Sequence, residues 1–259
     1  MRIRVWVITV VGLLLATGCS GAGPSAGPTV APTGPAPLFE PGELCAAEAA
    51  AGRAVRLPTG NGASLGAIEL GSGSVAVVLA HQANGELCQW LPYGQVLADR
   101  GYRVIAFDFS GYGSSTVVGT PSLVQDVGTV VAHARSSGAT TVVLVGASMG
   151  GTVSLAAAAT ITPAVDGVVA VSAPSTYSGV DAKAAVPSLA MPVLYLVGDG
   201  DGGFVASATA LADATPPGQA TLHVVDAFEH GVDLLAPTVP ASTPYRTLVE
   251  DFIAGTANA

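Results

Sequence analysis

The sequence predicts an α/β fold built on a mainly parallel, doubly wound sheet covered by helices, and three observations carry that prediction. Short continuous apolar runs such as Val75 to Ala80 alternate along the chain with segments of helical spacing, the pattern of parallel strands joined by helical crossovers. Half of the residues are hydrophobic and only 10% are charged, so both faces of a sheet can be covered by an aliphatic core. About 215 residues remain once an N-terminal leader and linker are set aside, a common size for one α/β domain.

The leader comes first. Arg2 and Arg4 precede an apolar run from Val5 to Ala16 that is too short to span a bilayer comfortably, which takes about 20 residues. It fits the apolar core of a secretory signal peptide over residues 1–18. The run ends Leu15-Ala16-Thr17-Gly18-Cys19. This resembles the lipobox of bacterial lipoprotein precursors, with Ala16 where Leu is most frequent. The resemblance implies lipid attachment at Cys19 and a place on the outer face of the bacterial cell membrane. Residues 19–41 are then a flexible linker rich in Gly, Ala, Ser, Thr and Pro, unable to bury enough apolar surface to offset its ordering entropy. The folded domain is expected over residues 42–259.

Within it, Arg53 to Leu70 reads as two short strands around the turn Pro58-Thr59-Gly60-Asn61-Gly62. Val75 to Ala80 and Tyr102 to Phe107 read as buried strands, with a helix from Trp90 to Arg100 between them. A helix from Pro121 to Ser137 ends at Gly138, a residue suited to the C-terminal cap. Thr140 to Val145 is a strand, Thr152 to Thr160 a small-residue helix and Val168 to Ser172 a strand. Residues 174–191 show little periodicity and form a short cap. Val193 to Val197 and Thr221 to Val225 are the last strands, with a helix from Phe204 to Ala214 between them. A closing helix is expected from Pro244 to Ile253. Ligands of such sheets bind outside the carboxyl ends of the strands.

Charge narrows the partners. The net charge is −9; taking Arg2 and Arg4 away with the leader leaves 7 basic residues against 18 acidic ones, or −11. Such a surface repels phosphate backbones and anionic lipid headgroups, so neither nucleic acid nor a basic membrane patch is expected. Beyond Cys19 the chain has Cys45 and Cys88. An exported protein meets an oxidising compartment, and the even pair predicts a Cys45–Cys88 disulfide.

The motif with most chemical content is Gly146-Ala147-Ser148-Met149-Gly150, a G-x-S-x-G placed between a predicted strand and a predicted helix. A sharp strand-to-helix turn lifts the serine into a strained backbone conformation, so its near neighbours must be small. Gly146, Ala147 and Gly150 meet that demand. The turn exposes the Ser148 hydroxyl and aims the first N–H groups of the helix at a reacting carbonyl oxygen. By this geometry the Met149 N–H is an oxyanion donor.

Three further segments agree with the motif in order. Val77-Val78-Leu79-Ala80-His81-Gln82 resembles the strand and His-Gly turn before the oxyanion loop of α/β-hydrolases. Gln82 takes the place of the usual Gly, as in the His-Glu or His-Gln turns of the dienelactone-hydrolase-related branch. Those enzymes typically carry a Cys nucleophile, so Ser148 implies a wider esterase-like branch. Asp108-Phe109-Ser110-Gly111-Tyr112-Gly113-Ser114 resembles the family's D-x-R-G-x-G-x-S loop, with Ser110 for Arg. Gly198-Asp199-Gly200-Asp201 and Phe228-Glu229-His230-Gly231 stand where the family carries its acid and its base. The resemblance covers residues 53–254 and implies Ser148 as nucleophile, His230 as base and Asp201 as orienting acid, with Asp199 the alternative. It implies Ala83 N–H as second oxyanion donor, with Gln82 next. His81, His133 and His223 are expected to be structural.

The function this implies is serine hydrolysis of a carboxylic ester through an acyl-enzyme, on a small or open-cleft substrate, with no metal or organic cofactor. Trp90, Phe109, Tyr112 and Phe204 are candidates to line the cleft or to pack in the core. A non-catalytic binding protein on the same fold and an acyltransferase using the same triad are the alternatives.

Overall fold

The computed structural model describes residues 45–258. The signal segment, the lipid site at Cys19 and residues 20–44 lie outside them. Helix α1 (Ala46–Ala49) leads into the hairpin β1 (Arg53–Pro58) and β2 (Ser64–Leu70), paired antiparallel with Arg53 opposite Glu69. There follow β3 (Val75–Ala80), α2 (Leu91–Asp99), β4 (Arg103–Phe107), α3 (Leu123–Ser136), β5 (Thr141–Ala147), α4 (Met149–Ala158) and β6 (Gly167–Val171). A small hairpin, β7 (Thr176–Tyr177) and β8 (Val180–Asp181), and the short α5 (Ala182–Ala185) make the cap. The domain closes with β9 (Val193–Gly198), α6 (Phe204–Ala214), β10 (Ala220–Val225) and α7 (Thr243–Ala257).

Eight strands form one sheet in the order β1-β2-β4-β3-β5-β6-β9-β10. From β4 to β10 all neighbours are parallel, while β2 meets β4 antiparallel. Period-two alternation divides each central strand between two cores. Val78 and Ala80 of β3, Val142 and Leu144 of β5 and Val168 and Ala170 of β6 face α3, α4 and α6. Val77, Leu79, Val143, Val145, Val169 and Val171 face α2 and α7 on the other side. Helices on both faces are what the continuous apolar runs demanded, since a strand wet on one face would alternate with polar residues.

Two local outcomes differ from the sequence expectation, and a third settles an open choice. Strand β5 runs on to Ala147 and α4 starts at Met149, three residues before the expected Thr152. Gly150 and Gly151 have poor helix propensity, yet tertiary packing makes them helical. The cap holds a hairpin and a short helix that the sequence did not reveal, because its two-residue strands are too short for a period to register. Trp90 and Phe109 are fully buried and belong to the cores, not to a cleft. Trp90 packs beside Tyr93 with its ring centroid 6.3 Å away, and Phe109 packs edge-on to Phe107 at 4.8 Å.

Cys45 and Cys88 are joined in a disulfide with Cα atoms 5.5 Å apart, across 43 residues of sequence. A loop of that length restricts the unfolded chain by roughly 4 kcal/mol in the chain-entropy picture. The bridge ties the start of the domain to the 3-10 turn Leu87–Trp90, just beyond the loop that leaves β3.

Candidate active site

The carboxyl ends of β3, β5, β6, β9 and β10 converge on one rim, and the predicted site residues stand on the loops that leave them. Ser148 lies at the β5–α4 junction with φ 48° and ψ −116°, a strained backbone for a residue with a side chain. Its N–H donates to the Val171 carbonyl at 2.8 Å, and its own carbonyl accepts from the Thr152 N–H at 3.1 Å. The turn is thus sewn to β6 on one side and to α4 on the other. Ser148 is half-buried between fully buried Ala147 and Met149, so the chain surfaces at the serine alone.

Room for this turn comes from two glycines. A Cβ on Gly146 would stand 2.6 Å from the Gly151 nitrogen, and one on Gly150 would stand 2.6 Å from the Ala80 carbonyl carbon. Helix α4 therefore enters directly against the end of β3. Met149 is its first residue, and the first N–H groups of a helix have no acceptor within it. The helix start lies beside the end of β3, where a Cβ on Gly150 would stand 2.7 Å from the His81 carbonyl oxygen.

Asp201 follows β9, and His230 follows β10. The His230 Nδ1 lies 2.9 and 3.0 Å from the two carboxylate oxygens of Asp201. The carboxyl side chain is 7% exposed and the imidazole 32%. Asp199 is engaged elsewhere: its carboxylate accepts the Ala227 N–H at 3.3 Å and helps shape the loop before His230. The Phe204 ring packs against the His230 imidazole with centroids 4.3 Å apart. Gly231, next to the histidine, has φ 61°, and a Cβ there would come 3.5 Å from that of Ala147, so the His230 loop lies against the Ser148 turn.

The loop that leaves β3 is held by neutral hydrogen bonds around His81. Its Nε2 accepts the Phe109 N–H at 3.2 Å, so Nδ1 carries the proton and donates to the Gln82 carbonyl at 2.8 Å. Burial lowers the His81 pKa from its ordinary 6.5. In the window between that lower value and the unfolded value near 6.5, only the unfolded chain takes up the proton. Stability is therefore present above about pH 6.5 and lost as pH falls below it. Thermal melts from pH 7.5 to 5 are expected to show this decline, and His81→Asn is expected to flatten it; an unchanged slope in the variant contradicts the assignment. Asp108 is buried next to this loop and accepts from Leu87 N–H, Ser114 N–H and Ser114 Oγ at 2.7 Å each.

Two side chains meet the His230 loop through contacts that the sequence did not reveal. Ser172, buried with φ 49°, accepts the Gly231 N–H, and the Gln82 Oε1 accepts the Val232 N–H, each at 3.1 Å. No pattern in the sequence marks Ser172. The other histidines stand apart: His133 Nε2 is 2.8 Å from Glu69 Oε1, and Glu69 also pairs with Arg53, while His223 lies within β10. Tyr112 packs edge-on to His81 at 5.1 Å. With Ser110, Ser122 and Tyr177 it lines a cavity of about 440 Å³ between the loop after β4 and the cap hairpin.

Residues 75–187 match the family model described as the alpha/beta hydrolase fold. No curated protein matches the sequence. Among solved structures, a Pyrococcus furiosus esterase is similar at 17% identity and TM-score 0.64, over 78% of this chain and 90% of its own. An esterase from Exiguobacterium antarcticum is similar at 14% identity and TM-score 0.64, over 78% and 100%. A proline iminopeptidase from Mycobacterium smegmatis is similar at 13% identity and TM-score 0.65, over 79% and 98%. Sheet order, two-sided helical cover and these likenesses agree: the chain has the α/β-hydrolase fold.

Proposed function

We propose that the protein is a serine hydrolase of the α/β-hydrolase family that cleaves carboxylic esters, with Ser148 as nucleophile, His230 as base and Asp201 as orienting acid. The observation that supports this most is the His230–Asp201 hydrogen bond on a loop packed against the strained Ser148 turn. His230 Nε2 takes the Ser148 proton as Oγ bonds to the ester carbonyl carbon. Met149 and Ala83 N–H groups hold the oxyanion. The C–O bond to the alcohol then breaks, and His230 returns the proton to the departing oxygen. Water attacks the acyl-enzyme by the same proton relay, releasing the acid and free Ser148. Asp201 keeps the proton on Nδ1, so that Nε2 is the basic nitrogen, and it stabilises the imidazolium. An uncharged His230 is required for it to take the proton.

A fluorophosphonate probe tests the reading directly. Covalent label on Ser148, located by peptide mass, is the expected result; folded protein that takes no label refutes it. The rim also bears on the substrate. Asp199, Asp226 and Glu229 are exposed beside the two loops, and residues 198–203 and 226–233 hold no Lys or Arg. That field disfavours anionic substrates. With matched phenyl esters, kcat/KM for the acetate is expected to exceed that for the hemisuccinate about ten-fold, with the gap narrowing as salt screens the rim. A gap unaffected by salt would show that shape, not charge, sets the preference.

A further inference from the structure

The segment that carries His230 is held by two side chains that take no part in the proton relay. Its ring is held at Nδ1 by Asp201 and on one face by Phe204, whose ring centroid lies 4.3 Å away. The backbone from which the ring springs sets its place as well. There the two successive N–H groups of Gly231 and Val232 are both taken up by side chains, the first by Ser172 Oγ and the second by Gln82 Oε1.

Gln82 is the more telling of the two. It stands directly after His81 at the end of β3, so its backbone belongs to the loop that presents Ala83, while its side chain reaches a residue 150 positions away. Its own carbonyl is held by His81 Nδ1 at 2.8 Å and by the Gly85 N–H at 3.1 Å, which steadies the stem of the side chain. Gly231 is its matching partner. Besides having φ 61°, Gly231 leaves open the space that Gln82 Oε1 occupies, since a Cβ there would overlap that oxygen. A glycine at position 82 would have nothing to offer the Val232 N–H, and a side chain at position 231 would expel the amide.

We infer that Gln82, seconded by Ser172, is a positioning residue that clamps the His230 loop to the oxyanion loop. The inference rests on the reading of His230 as base. Small displacements of a reacting group cost rate out of proportion to their size, so the clamp acts on kcat and leaves KM largely alone.

Two substitutions of equal length separate acceptor from bulk. Gln82→Met fills the same space with no oxygen, and Gln82→Glu keeps an oxygen that accepts the Val232 N–H. Gln82→Met is expected to lower kcat about ten- to a hundred-fold, with KM within about two-fold and an equal fall in the rate of Ser148 labelling by fluorophosphonate. Gln82→Glu is expected to stay within about three-fold of the parent. Ser172→Gly, which suits the positive φ, removes the other acceptor from outside the oxyanion loop and is expected to lower kcat with KM held. Circular dichroism and melting temperature establish that each variant is folded. A folded Gln82→Met enzyme with the parent's kcat overturns the clamp, as does equal loss in the Met and Glu variants. Failure of the parent reading looks different: the parent enzyme itself goes unlabelled, or His230→Ala retains full activity.

Discussion

Ser148→Ala is expected to lower kcat for ester hydrolysis about 10^4-fold or more while leaving the melting temperature within a few degrees of the parent, roughly the effect of 1 kcal/mol in a domain of this size. The asymmetry follows from how the residue is held. Its structural bonds are made by its backbone, the N–H to Val171 and the carbonyl to Thr152, and the substitution leaves both in place. Only the hydroxyl is lost, and with it the proposed nucleophile. Asp201→Asn gives a second view of the same relay, with an expected loss of about 10^4-fold. The amide can turn its nitrogen toward His230 Nδ1 and so favour the wrong tautomer, and it no longer carries charge to balance the imidazolium. In the proposed scheme the three residues act as a unit, so the double variant is expected to lose little more than Ser148→Ala alone. Both are read from p-nitrophenyl acetate turnover against a mock-purified control. An alanine variant at position 148 with parental kcat would remove the nucleophile from the scheme, whatever the fold.

The features legible in the sequence are those that repeat or that carry a steric demand. The central strands could be read because both of their faces are buried, which forces runs such as Val142 to Val145 to be apolar throughout. The turn at Ser148 could be read because its crowding excludes side chains, and Gly146 and Gly150 record that exclusion. The start of α4 could not, because the same glycines that make room for the turn disguise the helix that follows. The cap hairpin left no period, and Trp90 and Phe109 show that an aromatic near a cleft in sequence can be core in space. The clamp on Gly231 and Val232 lay beyond sequence reasoning for a different reason. A hydrogen bond from backbone to side chain uses any residue with an oxygen at the right place, and the partners of Ser172 and Gln82 are 59 and 150 residues away. Gln82 stood out as a departure from the usual glycine and as the alternative backbone donor; what its amide reaches is decided by the juxtaposition of β3 with the loop after β10.

Gly150→Ala is expected to be as damaging to the fold as Ser148→Ala is to the chemistry. The added carbon would stand 2.6 Å from the Ala80 carbonyl carbon and 2.7 Å from the His81 carbonyl oxygen. Both are backbone atoms of the end of β3, so no side chain can swing aside; helix α4 or the strand end must move. Forced overpacking of this kind costs about 3 kcal/mol or more, equivalent to a fall in melting temperature of roughly 6–12 °C at this domain size. The displacement also separates the first N–H groups of α4 from the Gln82–Ala83 loop, so activity is expected to drop further than the loss of folded protein explains. Gly128→Ala supplies the opposite case. Gly128 lies within α3, and a Cβ there meets nothing within 4 Å. Replacing a helical glycine in open space gains about 1 kcal/mol from propensity, so this variant is expected to melt higher and keep its activity. One methyl group of the same size should therefore move stability in opposite directions at two helical glycines, and melting curves of the two variants side by side decide it. A Gly150→Ala protein as stable and active as the parent would mean that α4 does not enter against β3 as tightly as the hydrolase turn requires.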